Sequence, residues 1–128
     1  MSESEANDAL ARLGGRARSL DRLLEHRTRL GACVLLAQGG PLAFAQLRLL
    51  LDETDGNLGA HMRKLEDAGY IEADKQFVDR KPVTRYALTR AGTKALERHL
   101  AGLQELLGAV PGPVAPQPPP SPRPPGDA

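Results

Sequence analysis

Apolar residues recur at three- and four-residue spacing through Leu20, Leu23, Leu24, Leu30, Val34 and Ala37, with Ser19 placed to cap the run and Gly39-Gly40-Pro41 to end it. The spacing predicts one long first helix, with Gly31 and Ala32 small enough to admit another helix at mid-span. Phe44, Leu47, Leu50 and Leu51 then mark the face of a two-turn second helix that Asp52-Glu53 stops. Thr54 stands as an N-cap with Asp55 near the partial positive end of a third helix. The buried stripe of that helix is Leu58, Met62 and Leu65, and Gly69 closes it.

The period then changes from helical to alternating. Residues 70–78 and 83–89 are β-rich stretches on either side of Asp79-Arg80-Lys81-Pro82, which predicts a hairpin with a basic tip. Thr89 caps a last helix whose apolar face runs through Ala91, Ala95, Leu96, His99, Leu100, Leu103, Leu106 and Leu107. The expected class is therefore mainly α with a small β-hairpin (α+β), in the order of a winged helix-turn-helix.

Composition limits how much of the chain joins this domain. Of 11 prolines, nine fall at or after Pro111, so residues 108–128 are expected to be a disordered or polyproline II tail. Residues 1–19 are expected to be a partly ordered N-terminal extension, which leaves a folded unit over 20–107. A core of that size is small, and the long apolar face of the last helix exceeds what it can bury, so dimerisation is the natural supplement. The interface is expected to use Leu23 and Leu30 of the first helix with Leu96, Leu100, Leu103 and Leu107 of the last.

Charge and special residues narrow the chemistry. Lys+Arg number 17 against 16 Asp+Glu, a net charge of +1, so any nucleic-acid footprint must come from the distribution of charge rather than its sum. The single cysteine excludes an internal disulfide, and the longest apolar run, Ala32 to Ala37, falls far short of the ~20 residues of a membrane span. The acidic, polar N-terminus does not resemble a secretory leader, and the expected location is cytoplasmic. His26, His61, His99 and Cys33 show no metal-ligand spacing, so no metal or other cofactor is expected. His61 is read as packed or bonded to backbone, and Cys33 as a small buried hydrophobe. No nucleophile elbow, phosphate-cradling loop or carboxylate pair suggests an enzyme.

On a helical wheel with Leu58, Met62 and Leu65 inward, Gly56, Ala60, Arg63 and Asp67 point outward, flanked by Asn57, Gly59 and Lys64. Little bulk at the start and positive charge at the end suit a helix lying deep in a major groove, with Asn57 on an adenine edge and Arg63 on guanine or phosphate. In the hairpin, Lys75, Arg80, Lys81 and Arg85 outnumber Asp74 and Asp79, and a tip of that charge can reach phosphates or the minor groove. The rival reading is a winged helix that docks a partner protein; the basic character of these residues favours DNA.

Thr54-Asp55-Gly56-Asn57-Leu58, His61, Leu65-Glu66, Ala68-Gly69-Tyr70-Ile71, Arg80-Lys81-Pro82, Thr84, Tyr86-Ala87-Leu88-Thr89 and Gly92 together resemble the small winged-helix transcriptional regulators related to the MarR and ArsR groups. The resemblance spans about Leu20 to Leu107 and implies a homodimeric regulator, commonly a repressor, that reads an inverted repeat in double-stranded DNA. It also admits a small-molecule effector. Its DNA contacts would fall on Thr54, Gly56, Asn57, Gly59, Ala60, Arg63 and Lys64 of the third helix and Lys75, Arg80, Lys81 and Arg85 of the wing. Two positions depart from the pattern: Ala43 replaces a capping hydroxyl before Phe44, and Gly59 replaces a serine that could reach phosphate.

Overall fold

The computed structural model describes residues 2–110, so 111–128, most of the expected Pro-rich tail, lie outside the described residues. The first element, α1 (Glu3–Arg18), occupies what was expected to be a partly ordered extension. Ser2 and Glu5 form a reciprocal capping box, acids fill its first turn and Arg16 and Arg18 its last, an arrangement that opposes the helix dipole at both ends. It buries no residue completely; it rests on the C-terminal helix through Leu20, just past its end, and Arg16.

The expected long first helix is instead a 3-10 turn (Arg22–Leu24) followed by α2 (Arg27–Gly39). Two polar side chains outcompete helical continuity here. Asp21 caps the 3-10 turn by accepting from the Leu23 N–H, and His26 Nδ1 accepts from the Thr28 N–H at 3.1 Å and so caps α2. A short strand β1 (Leu42–Ala43), which the hydrophobic pattern does not disclose, leads into α3 (Phe44–Leu51). Ala43 provides no side-chain cap, but Gln46 Oε1 accepts from its N–H and supplies half of a capping box. Leu47 is buried, whereas Leu50, expected on the inner face, is 61% exposed; the inward positions are Phe44, Leu47 and Leu51, the last close to Gly31 of α2.

After a left-handed Asp52, α4 (Asp55–Asp67) begins at Thr54, whose hydroxyl accepts from the Asn57 N–H. Leu58, Met62 and Leu65 are all but inaccessible, as the period demands. Gly69 at φ 80° reverses the chain while the Tyr70 N–H reaches back to the Leu65 carbonyl, a Schellman closure. Strands β2 (Ile71–Val78) and β3 (Lys81–Leu88) form the hairpin, and β3 lies between β1 and β2 in a three-stranded antiparallel sheet.

The core joins Leu24 and α2 (Ala32, Cys33, Leu36) to Leu47, the α4 stripe, Ile71, Tyr86 and Leu96 of α5 (Arg90–Gly108). The start of α5 is pinned by Thr89, whose hydroxyl accepts from the Gly92 N–H and donates to the Gly69 carbonyl. Gly92 is required by close approach: a Cβ there would collide with the Tyr70 carbonyl. The α4–β2 turn is thereby fastened to the root of α5.

Candidate nucleic-acid interface

Burial of Leu58, Met62 and Leu65 fixes the rotation of α4, so Gly56, Asn57, Ala60, Arg63, Lys64 and Asp67 face solvent, as does Thr54 at its cap. Gly59 is half-buried at the edge of this face. Arg48 of α3 reaches Asp55 at 3.1 Å, an exposed ion pair that orients the two helices of the turn but adds little stability.

Beyond its pairing with β1 at Ala43–Arg85, β3 stays half-buried at Val83 and Thr84 beside the start of α3, whereas every residue of β2 after Ile71 is exposed. Val78 pairs with Lys81, which leaves a two-residue turn, Asp79-Arg80, with both residues in the left-handed region (φ 52° and 66°) as a type I′ turn requires. Strand alternation divides the predicted wing cations. Lys75 shares a face with Ile71, Ala73 and Phe77, whereas Arg85 lies on the opposite face, directly across from Asp74 and half-buried. Arg80 and Lys81 are exposed at the tip, and neither they nor Lys75 has an ion-pair partner among the described residues.

The inner side of α4 carries a polar joint that sequence spacing does not reveal. Arg29 of α2 donates from Nε to the Leu23 carbonyl at 2.7 Å and from Nη1 to His61 Nδ1 at 2.9 Å. His61 thus bonds a side chain rather than backbone, and its ring lies 4.1 Å from that of His26. Because a guanidinium only donates, His61 Nδ1 is an acceptor. Burial, then His26 and Arg29, hold its pKa below the usual histidine value against the opposing pull of Glu53. Glu53 is held low chiefly by the Thr28 hydroxyl, 2.6 Å from its carboxylate.

A second joint binds three elements at Asp21. Its N–H donates to His99 Nδ1 at 3.1 Å, and its carboxylate accepts from the Tyr70 hydroxyl, which pushes the tyrosine pKa up to about 12. These residues are 49 and 78 positions from Asp21, and no local pattern joins them. His99, expected as one more member of an apolar stripe, is a buried polar residue. Beside it opens a cleft of about 450 Å³ lined by Arg16, Leu20, Asp21, Arg98, His99 and Gly102. With His99 Nδ1 accepting, the neutral ring carries its proton on Nε2, which has no acceptor among the described residues. Arg16 Nε lies 2.8 Å from Glu105, but its buried N–H is not aligned on the carboxylate and makes no hydrogen bond.

The residues expected at a dimer interface separate into three groups. Leu100 and Leu107 are exposed, the latter 68%, and Leu103 is half-buried beside them. Leu23 and Leu30 are half-buried, and Leu30 packs on the chain's own core. Leu96 is a correction: it is buried inside its own chain against that core and is not available to a partner. The exposed Leu10 of α1 was not anticipated.

Cys33 is fully buried, with burial pushing its thiol up to about 11, the opposite of an activated cysteine. Among the described residues no group of three or more His, Cys, Asp or Glu side chains is placed to hold a metal, and no helix is long and apolar enough to cross a membrane.

Comparison with known proteins agrees with this geometry. A family model for the winged helix DNA-binding domain matches residues 28–107. An uncharacterized protein of Methanocaldococcus jannaschii is 32% identical over 63 residues, covering 49% of this chain and 68% of that protein. The structure of a transcriptional regulator homologue from Pyrococcus horikoshii is similar at 31% identity and a TM-score of 0.68, over 76% of this chain and 94% of that one. An ArsR family transcriptional regulator is similar at 27% identity and a TM-score of 0.51, over 76% of this chain and 95% of that one.

Proposed function

The chain belongs to the winged-helix DNA-binding family of transcriptional regulators, and on that premise we propose that it is a homodimeric repressor that reads an inverted repeat. The observation that carries the reading is the outer face of α4: slender at Gly56 and Ala60, polar at Asn57, basic at Arg63 and Lys64, and held rigidly outward by the buried Leu58, Met62 and Leu65. In a major groove about 12 Å wide such a helix brings Asn57 and Arg63 to base edges. Arg80, Lys81 and Lys75 of the wing contribute sequence-independent attraction to phosphates. The exposed Leu100 and Leu107, with the half-buried Leu103 between them on α5, offer the self-complementary face a twofold dimer requires.

Selection of bound sequences from a pool of randomised duplexes by the full chain tests this. The parent enriches one inverted repeat. Arg80→Ala weakens binding to all sequences alike and lowers the slope of log affinity against log salt by about 1. Asn57→Ala relaxes preference at one position of each half-site, by about 1–3 kcal/mol. Absence of any enrichment by the folded parent would reject the reading in favour of a protein-docking winged helix.

The same reading includes an effector, a small organic anion in the cleft beside His99, because Arg16, Arg98 and His99 offer donors in excess of acceptors there. Its occupant would press on Asp21 and, through the Tyr70 hydroxyl, on the end of α4. With benzoate as the probe, the melting temperature of the full chain rises and Arg98→Ala abolishes the rise. An unchanged melting temperature at high benzoate would remove the cleft from this role.

A further inference from the structure

The wing carries one large apolar side chain that the fold does not use. Phe77 is 78% exposed, two residues before the turn, and Val78 beside it is also exposed. It lies on the face whose inner members, Ile71 and Tyr86, are buried, but the core ends well short of it. Directly opposite is Pro82. A two-residue turn is closed by a hydrogen-bonded pair, so Phe77 and Pro82 form the next, non-hydrogen-bonded pair, whose side chains stand closest together. The missing proline N–H therefore costs the hairpin nothing, and the proline ring backs the phenyl ring.

Around this apolar blade cations outnumber the one acid of the turn, Asp79: Lys75 stands on the same face, about 7 Å back along the strand, and Arg80 and Lys81 at the tip, all three cations without ion-pair partners among the described residues. A surface of one aromatic edge framed by net positive charge fits a partner that presents flat apolar faces between rows of negative charge. Duplex DNA has that character in its minor groove.

We propose that Phe77 enters the minor groove beside the half-site read by α4 and wedges between two base pairs, kinking the duplex toward the major groove. This rests on the DNA-binding reading above. Arg80 and Lys81 hold the flanking phosphates, Lys75 holds the phosphate behind the ring, and the rigid turn keeps the ring at a fixed depth. Unstacking is least costly at pyrimidine–purine steps, so Phe77 confers a preference for such a step at a fixed distance from the half-site without a hydrogen bond to any base.

The test compares the full-length parent with Phe77→Ala and Phe77→Leu in selection from randomised duplexes, followed by bending of the selected duplex measured by fluorescence energy transfer between its ends. The parent enriches a pyrimidine–purine step at the wing position and bends the duplex. Phe77→Ala loses both and binds the selected duplex about tenfold more weakly, yet keeps the half-site preference set by α4; Phe77→Leu retains part of the bend. Phe77 is outside the core, so both variants fold, which circular dichroism verifies. An Ala variant that keeps the step preference and the bend overturns the proposal while leaving DNA reading intact. So does an Ala variant whose sedimentation changes without DNA, which would assign Phe77 to contact with a second copy of the chain. If the parent enriches no sequence, the underlying DNA reading fails first.

Discussion

A proton added at His61 Nδ1 would take away the acceptor that holds Arg29, in a place already flanked by His26 and Lys64 and relieved only by Glu53. Its pKa in the folded chain is depressed, so below the ordinary histidine value of about 6.5 the unfolded chain binds a proton that the folded chain resists. The contribution to stability is therefore undiminished at higher pH and is lost as pH falls through about 6.5 toward the folded value. In urea unfolding, the midpoint of the parent drops between about pH 7.5 and about pH 5.5, and His61→Gln, which keeps an acceptor for Arg29, drops less. Equal drops in the two proteins would show that His61 does not couple stability to pH. Residue-level legibility followed from locality. Thr54, Leu58, Met62, Leu65 and Gly69 act within one or two turns of themselves and could be read from spacing. Arg29–His61 and Asp21–Tyr70–His99 are joined only by tertiary folding, and a histidine at a helical apolar position looks the same whether it packs or bonds.

Among the elements, α4, the hairpin and α5 are legible because cap, apolar period and terminator agree in each, whereas the first half of the chain misleads. Leu20, Leu23, Leu24 and Leu30 keep helical spacing across a stretch that is not one helix, because Asp21 and His26 turn their side chains on the backbone and reset it. Three leucines in a row, 49 to 51, likewise allow more than one face for a two-turn helix, and the structure leaves Leu49 and Leu50 exposed while Leu51 packs on the core. Strand β1 is only two residues long and exists because β3 lies beside it, so no periodicity could announce it. Phe77 was legible as a β residue but not as a free one; that required knowing where the core stops.

At the scale of the whole molecule, the end of α1 packs on α5 through Arg16 and Leu20, α5 carries the exposed Leu100 and Leu107, and the hub at Asp21 links α5 to the end of α4 and the root of the wing. Two such chains related by a twofold axis would present two α4 helices in opposite orientation, which is why an inverted repeat is the matching DNA symmetry. The family and the order of elements from α3 to α5 were legible in the sequence; the pairing of α1 with α5 was not, since it depends on Leu20 and Arg16 meeting Gly102 and Glu105 from the far end of the chain. Hydroxyl-radical footprinting of the full chain on its selected duplex tests the central claim most directly. Two protected half-sites should appear with centres about 10 base pairs, or a multiple, apart. The double variant Leu100→Glu/Leu103→Glu should lose protection of both together at concentrations where the parent protects both. A single protected half-site for the parent, or protection of both by the double variant at the parent's affinity, would contradict a dimer that reads DNA through paired α4 helices.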